Sequence, residues 1–540
     1  MTWIAAAVFI NDDVPAMLNL IQECAVQGAD MIELRCDTCS KQAMETVLRD
    51  PAVRQLRLLV TIRPPWEGGR FAGSESDRLE LMVAACRLKP DFVDIELEAW
   101  KNNPKFPQRL LPLLARPSLE DASAGAKRLP GPQLVISSHD FSGRPPDLDG
   151  RFAALASVQE AAVLKLSYKA NNSLDALEAL ALYPKLTEKY RRPLVVIAMG
   201  EDGQISRFLS AKFGAAFTFA TPNHSAGTAP GQPRIGDLVN VYRFRQQALH
   251  WGVYGVIGWP VAHSISPIIH NAAFTHIGFD AVYVPMLVAP GYDNFAAFID
   301  AARKCPQLNL QGLSITIPHK ENALEYVRRN GGEIDPTSKA IGVVNTIFLN
   351  TNPIQGINSD WTGAIKAMEI VGGIGKKEFK QRAAAVIGAG GAARSIVAGL
   401  ASLDANVTVF NRTLDRAKTL AQQFNGKTGR VQAAPFEQIG REKFDLLINC
   451  TSVGMYPDSS GLPIPETLNF APGQIVFDTV YNPRQTRLLK LAQSRGAIAV
   501  PGLEMLLHQA EVQFSGFAKT KAPMEIMHAA AESALAAMGQ

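Results

Sequence analysis

A chain of 540 residues exceeds what one hydrophobic core supports, and at roughly 100–250 residues per domain it holds two to four. With 47% apolar and 19% charged residues it has the composition of a folded globular protein, and a formal charge of +4 without any lysine–arginine block argues against nucleic acid as a partner. The small basic excess suits anionic metabolites instead.

No apolar run approaches the roughly 20 residues of a membrane span, so no membrane partner is expected. The six cysteines, at 24, 36, 39, 86, 305 and 450, are too few for a disulfide scaffold and point to a reducing compartment. Cys36 and Cys39 form a C-x-x-C, but without a second pair or neighbouring His ligands no metal site is expected. The opening "WIAAAVFI" (3–10) lacks a basic leader and runs into Asn11, Asp12 and Asp13, so it reads as a first strand rather than a signal peptide. The cytoplasm is the expected compartment.

Short β-branched runs then recur: "MIELRC" (31–36), "LRLLVTIR" (56–63), "DFVDIELE" (91–98), "QLVISSH" (133–139), "AAVLKLS" (161–167), "PLVVIAM" (193–199) and "AAFTFA" (215–220). Amphipathic stretches separate them, such as "SLDALEALALYPKLTEKY" (173–190), where a Ser173 N-cap is expected with Asp175 in the first turn. Strand then helix, eight times in about 220 residues, predicts an α/β fold of the (β/α)₈ TIM-barrel type rather than an open doubly wound sheet.

Barrel enzymes place chemistry at the C-terminal ends of their strands. Glu33 and Arg35 close the second run, Arg63 the third, His139 the fifth and Met199 the seventh, while Lys165 sits among apolar residues of the sixth. A lysine in such a strand faces the barrel interior. There it is either desolvated to a neutral, nucleophilic amine or paired with a buried carboxylate. With His139 on the adjacent strand, the pair suggests a Schiff-base lysine and a histidine proton shuttle.

"ELRCD" (33–37), "TIRPPWEGG" (61–69), "SSHDF" (137–141), "LKLSY" (164–168), "IAMG" (197–200), "SR" (206–207) and "APGQ" (229–232) resemble, in this order, type I 3-dehydroquinate dehydratase over residues 1–247. The resemblance implies that Lys165 forms the iminium with 3-dehydroquinate, and that His139 moves the protons with Glu67 beside it. It also implies that Glu33, Arg35, Arg63, Met199, Arg207, Phe219, Thr228 and Gln232 hold the substrate. Thr228 stands where the family commonly has Ser, and keeps the hydroxyl.

"RIGDLVNVYRFRQQALHW" (234–251) is expected to be a closing helix. "YGVIGWPVAHSISPIIHNAAF" (254–274) then opens a new unit with no Gly/Ser linker between. Further on, "AAAVIGAGGAARSIVAGL" (383–400) carries G-x-G-x-x-A as Gly388, Gly390 and Ala393 between a strand and a helix. This is a dinucleotide fingerprint whose glycines admit a pyrophosphate to the helix N-terminus. The next strand, "NVTVF", ends in Asn411-Arg412-Thr413 where NAD enzymes place an acid. Arginine attracts a 2′-phosphate, so NADP(H) is the expected cofactor.

Around the fingerprint, "HSISP" (263–267), "SITIPHK" (314–320), "GVVNT" (342–346), "GINSDWTGA" (356–364), "NCTSVGM" (449–455), "DTVYNP" (478–483) and "GLEMLLHQA" (502–510) resemble shikimate dehydrogenase. That likeness implies a substrate lobe over 251–362, completed by helices at about 506–540, and a Rossmann-type NADP lobe over 363–505. It assigns Lys320 and Asp360 to the reacting oxygen. Ser264, Ser266, Thr316, Asn345, Tyr481 and Gln509 would hold the substrate. Gly388, Ala389, Gly390, Gly391, Ala392, Ala393, Asn411, Arg412, Thr413, Thr451, Val480 and Gly502 would hold the cofactor. Ser359 and Trp361 depart from the family pattern around Asp360.

Together the resemblances imply a bifunctional enzyme that dehydrates 3-dehydroquinate to 3-dehydroshikimate and reduces this with NADPH to shikimate. The small molecules are then its partners, and no metal is needed. Plant enzymes of this type join the halves in this order, which adds the plastid stroma as a compartment for a processed chain. A dehydratase fused to a quinate/shikimate dehydrogenase is the alternative. A non-catalytic metabolite sensor is another, but it would not retain Lys165, His139, Lys320 and Asp360.

Overall fold

The computed structural model describes residues 2–115, 130–222, 227–425 and 429–538. They form two compact units: residues 1–253 with 280–289 and 297–310, and residues 254–279, 290–296 and 311–540. Among the described residues no helix is long and apolar enough to cross a membrane.

The first unit is built on eight parallel strands: β1 (Trp3–Phe9), β2 (Met31–Arg35), β3 (Arg57–Thr61), β4 (Phe92–Glu96), β5 (Gln133–Asp140), β6 (Ala161–Lys169), β7 (Leu194–Met199) and β8 (Phe217–Ala220). Their order, β7-β6-β5-β4-β3-β2-β1-β8, is that of a nearly closed barrel. Period-2 alternation explains its interior. Ala5, Met31, Leu59, Phe92, Val135, Val163, Val195 and Phe217 belong to one apolar cluster. Two residues further along their strands, the same face presents Glu33, Thr61, Asp94, Ser137 and Lys165, all buried. An apolar floor thus carries a charged layer directly above it.

Two local expectations are corrected. The helix Ser173–Tyr190 is capped by Asn172, whose Oδ1 accepts the Leu174 N–H at 2.9 Å, so Ser173 is its first residue rather than its cap. Asn172 has the extended backbone that a cap needs. Residues 234–251 do not form one closing helix. A π-helical turn, Asp237–Val241, and a 3₁₀ turn, Phe244–Gln246, flank Arg243, whose φ of 51° breaks the helical path. Lys212 pins the end of this stretch, donating to the carbonyl oxygens of Leu249 and Trp251 at 2.5 and 2.7 Å.

Next come β9 (Gly252–Gly258), β10 (Ala281–Leu287), β11 (Leu310–Ile315), β12 (Glu333–Ile334), β13 (Thr346–Phe348) and β14 (Gln355–Ile357), in a mixed sheet ordered β10-β9-β11-β13-β14-β12. A separate parallel sheet contains β15 (Ala383–Ile387), β16 (Asn406–Asn411), β17 (Val431–Pro435), β18 (Leu446–Asn449), β19 (Ile475–Asp478) and β20 (Ile498–Val500). Its order, β17-β16-β15-β18-β19-β20, is the doubly wound 3-2-1-4-5-6 arrangement, with its switch point between β15 and β18.

The helix Asp360–Gly372 joins these layers. On one side it packs against the helix Gly502–Ala518, closely enough that a Cβ on Gly363 would lie 2.7 Å from the Met505 carbonyl oxygen. On the other, Trp361 lies against Gly399 of the helix Gly391–Ser402, so this bulky departure from the family pattern packs between helices. Gly363→Val should destabilise the second unit by about 1–3 kcal/mol through overpacking. Calorimetry should show its transition lowered and that of the barrel unchanged.

Candidate active sites

The charged layer of the barrel opens into a cavity of about 320 Å³. It gathers Glu33, Arg35, Arg63, Glu67, His139, Lys165, Met199, Arg207, Phe219, Thr228 and Gln232, every barrel residue singled out from the sequence. Lys165 Nζ donates to Asp94 Oδ2 at 2.8 Å and lies 4.4 Å from the centroid of the Phe219 ring. Of the two states expected for this lysine, the structure shows the carboxylate-paired one. Burial pushes the Asp94 carboxyl up, but Arg63 and Lys165 outweigh it and hold Asp94 well below the usual carboxylate range.

The pairing continues outward. Arg63 donates to Asp94 Oδ1 and to Glu96 Oε1, both at 2.8 Å, and Arg78 donates to Glu96 Oε2 at 2.6 Å and to Glu75 Oε2 at 2.7 Å. Lysine, aspartate, arginine, glutamate, arginine and glutamate therefore alternate in sign from Lys165 to the half-exposed Glu75. Ser137 bridges the chain, donating to Asp94 Oδ1 at 2.6 Å and accepting from Arg63 at 2.9 Å. Asp94, Glu96 and Ser137 were not singled out from the sequence. The signal was present in "DFVDIELE", where acids at alternate positions of an apolar strand share Lys165's problem.

The arginines are not equivalent. Arg35 is held by Asp37 at 2.6 Å, and Arg63 is held by Asp94 and Glu96. Arg207 is buried with Nε and Nη1 unpartnered, and burial alone pushes its guanidinium down to about 10. Among the described residues this buried cation has no counter-charge, and it lines the cavity, where an anion would offset its burial. Gln232 and Thr228 bond one another through Nε2 and Oγ1 at 3.1 Å, and Glu33 accepts from Thr61 at 2.8 Å.

His139 Nδ1 lies 2.8 Å from Glu67 Oε2. Glu67 sits on the turn Pro65–Glu67, which glycine alone allows to close: a Cβ on Gly69 would meet the Arg63 carbonyl oxygen at 1.9 Å. Burial raises the Glu67 carboxyl to about 8, against the opposing pull of Arg63. Burial first, then Arg63 and Lys165, push the His139 ring well below its ordinary value. Near neutral pH Glu67 is therefore protonated and donates to Nδ1, while the neutral ring keeps its own proton on Nε2.

In the second unit a cavity of about 340 Å³ gathers Ser264, Ser266, Thr316, Lys320, Asn345, Asp360, Tyr481 and Gln509, together with Ala392 and Gly502. Lys320, first residue of its helix, donates to Asp360 Oδ2 at 2.5 Å. Asn345 donates to Asp360 Oδ1 at 2.8 Å and accepts the Ser359 N–H at 2.8 Å. Both carboxylate oxygens are thus held, and Lys320 is aimed into the cavity from a fixed base. Ser314 and Gln513, absent from the sequence reading, also line it and bond one another at 2.8 Å.

The fingerprint lies at the switch point. Gly388 has φ of 110°, and a Cβ there would stand 3.1 Å from the Cys450 carbonyl oxygen just beyond β18. A Cβ on Gly390 would enter open space, and no side chain caps the helix that starts at Gly391. The turn therefore leaves room for a pyrophosphate at a helix N-terminus, so the residues fit a dinucleotide. Asn411 Nδ2 bonds the Thr413 carbonyl at 2.8 Å and leaves Arg412 exposed. Asn411 ends β16, Arg412 and Thr413 follow it, and none of the three lines the cavity. Thr451 is held by Asn449 Oδ1, and Val480 N–H by Asp478 Oδ1.

Residues 6–248 match the family Type I 3-dehydroquinase, 256–347 the Shikimate dehydrogenase substrate binding domain, and 370–456 the Shikimate / quinate 5-dehydrogenase family. The bifunctional 3-dehydroquinate dehydratase/shikimate dehydrogenase of Arabidopsis thaliana, described as chloroplastic, is 34% identical over 95% of this chain and 82% of its own. The chain belongs to that bifunctional family. It joins a 3-dehydroquinate dehydratase to a shikimate dehydrogenase. The shikimate dehydrogenase (NADP(+)) of Methanothermobacter thermautotrophicus is 36% identical over 52% of this chain and 96% of its own. A crystal structure of the Thermus thermophilus enzyme with NADP(H) and shikimate covers 52% of this chain and 99% of its own, at 31% identity and a TM-score of 0.46.

The titration of the Glu67–His139 pair has a sign. Below about 8, protonated Glu67 donates to Nδ1 and the ring's remaining proton sits on Nε2. Above it, Nδ1–H donates to the carboxylate and Nε2 becomes the basic nitrogen. Dehydratase kcat/KM should rise with pH through about 8, and Glu67→Gln should remove that rise. Initial rates across pH check this.

Proposed function

We propose that the barrel dehydrates 3-dehydroquinate through a Schiff base on Lys165. Arg207 receives the substrate carboxylate, since it alone among the cavity's arginines lacks an acidic partner among the described residues. That observation carries the reading of this half. Lys165 loses a proton and attacks the ketone carbon. The carbinolamine expels water to give an iminium, and His139 takes the proton from the adjacent carbon to give an enamine. The enamine expels the neighbouring hydroxyl, which leaves as water with the proton that His139 returns. Hydrolysis of the conjugated iminium then frees 3-dehydroshikimate and Lys165.

In the second unit, NADPH supplies a hydride when bound. Gly388, Ala389, Gly390, Gly391, Ala392 and Ala393 would hold its pyrophosphate, Asn411, Arg412 and Thr413 its 2′-phosphate, and Thr451, Val480 and Gly502 the rest. As the substrate carbonyl gains an electron pair, Lys320 sits beside the developing oxyanion, held there by Asp360. Ser264, Ser266, Asn345, Tyr481 and Gln509 orient the ring. We divide the chain accordingly into a dehydratase barrel over 1–247, a substrate lobe over 251–362 completed by 506–540, and a cofactor lobe over 363–505.

The purified chain should oxidise NADPH steadily when given 3-dehydroquinate, with shikimate as the identified product. Lys165→Met should abolish that reaction while leaving reduction of 3-dehydroshikimate intact. Lys320→Ala should do the converse, slowing the reduction by about 10²–10³-fold. A Lys165→Met chain that still dehydrates would overturn the Schiff-base assignment.

A further inference from the structure

Asp478 belongs to none of the roles above, yet its hydrogen bonds reach both ligand-facing loops of the second unit. It ends β19, is fully buried, and is registered against Asn449 at the end of β18. Its Oδ1 accepts from Asn449 Nδ2 at 2.9 Å and from the Val480 N–H at 3.1 Å, and its Oδ2 accepts from Thr486 Oγ1 at 2.6 Å. Asn449 in turn accepts from Thr451 N–H and Oγ1, at 3.0 and 2.7 Å. Thr486 caps the helix Arg487–Ser494 by accepting the Leu489 N–H at 3.3 Å.

One carboxylate thus fixes three pieces of backbone. These are the loop after β18, which carries Thr451; the loop after β19, which carries Val480 and Tyr481; and the start of the next helix. Thr479 and Tyr481 line the substrate cavity. Gly502 closes the same place, since a Cβ there would stand 2.6 Å from the Thr479 and Val480 carbonyl oxygens. The three groups that bond Asp478 are an amide, a backbone N–H and a hydroxyl, all neutral. Holding a buried carboxylate by neutral donors alone is a costly way to fold a loop. It has the merit of offering several acceptor positions from one fixed point.

We propose that Asp478 is a positioning residue of the hydride transfer. It sets the loop carrying Val480 and the loop carrying Thr451 in one frame, so that Tyr481 presents the substrate ring to the cofactor at reacting distance. This role rests on the cofactor assignment of Thr451 and Val480 above. It requires acceptor geometry at residue 478 rather than negative charge. An asparagine keeps Oδ1 for Asn449 and Val480, and its amide can donate to the Thr486 hydroxyl in place of the bond it loses.

The test uses the full chain with three variants: Asp478→Ala, Asp478→Asn and Thr486→Val. In all three the dehydratase rate should match wild type, which reports an intact barrel, and a retained calorimetric transition of the second unit reports that it still folds. Asp478→Ala should lower dehydrogenase kcat by about 10²-fold, the scale of a small misplacement of reacting groups, and raise KM for both shikimate and NADP(+). Asp478→Asn should recover kcat to within about threefold, and Thr486→Val, which loosens Oδ2 alone, should fall between.

Purified Asp478→Ala that melts earlier but keeps wild-type kcat and KM would overturn the proposal, leaving a structural residue only. Asp478→Asn as impaired as Asp478→Ala would also overturn it, because charge rather than geometry would then matter. If Asp478→Ala does not fold, the Asn and Thr486→Val variants decide between these results. A wild-type chain that reduces 3-dehydroshikimate with NADH but not with NADPH would instead defeat the cofactor assignment, an outcome separate from any effect of the variants.

Discussion

A charge taken into a barrel must find its opposite there, and this requirement organises the first unit. Lys165 stands directly beyond the apolar Val163 on the inward face of β6, and its charge is balanced there by Asp94, 2.8 Å away. Asp94 is itself a buried charge and is shared with Arg63, which needs Glu96, which needs Arg78. The sequence of compensations ends only at Glu75, where solvent takes over. Lys165 is therefore one end of a structure that spans the barrel wall, and its position is set by residues on three other segments of the chain.

Both halves use the same architectural opportunity. Parallel strands end together on one side, and loops leaving them bring residues distant in sequence to one place. In the barrel, β2, β4 and β5 supply Arg35, Glu96 and His139 at or near their ends, and β6 supplies Lys165 from its middle. In the cofactor sheet, β15, β18 and β19 supply the glycine turn, Thr451 and the Val480–Tyr481 loop. The substrate lobe adds Lys320 and Asp360 from two helix N-termini, an arrangement that fixes both ends of an ion pair by backbone rather than by side-chain reach.

Much of this was legible in the sequence. The eight strand runs agree with the barrel strands to within about two residues, because β-branched runs and period-2 alternation are local signals. Every barrel residue taken from the dehydratase resemblance lines one cavity, as does every substrate residue taken from the dehydrogenase resemblance. What the sequence did not disclose is partnership. That Lys165 has a carboxylate partner depends on Asp94, 71 positions away. That Arg207 has no acidic partner among the described residues depends on what fails to approach it. The stretch 234–251 has apolar residues at helical spacing, yet Arg243 adopts a left-handed backbone and divides it, a choice made by packing rather than by local preference. Asp478 shows the same limit, since an aspartate after "QIVF" gains its meaning only when Asn449, Val480 and Thr486 arrive around it.

Arg207 has a consequence outside catalysis. Folding buries a guanidinium that has no opposing charge among the described residues, a penalty that Arg35, Arg63 and Lys165 avoid through their carboxylates. Any carboxylate that binds there offsets that penalty, so the metabolite is also a counter-ion of the fold. By mass action a barrel surrounded by its substrate is harder to unfold than the same barrel in plain buffer.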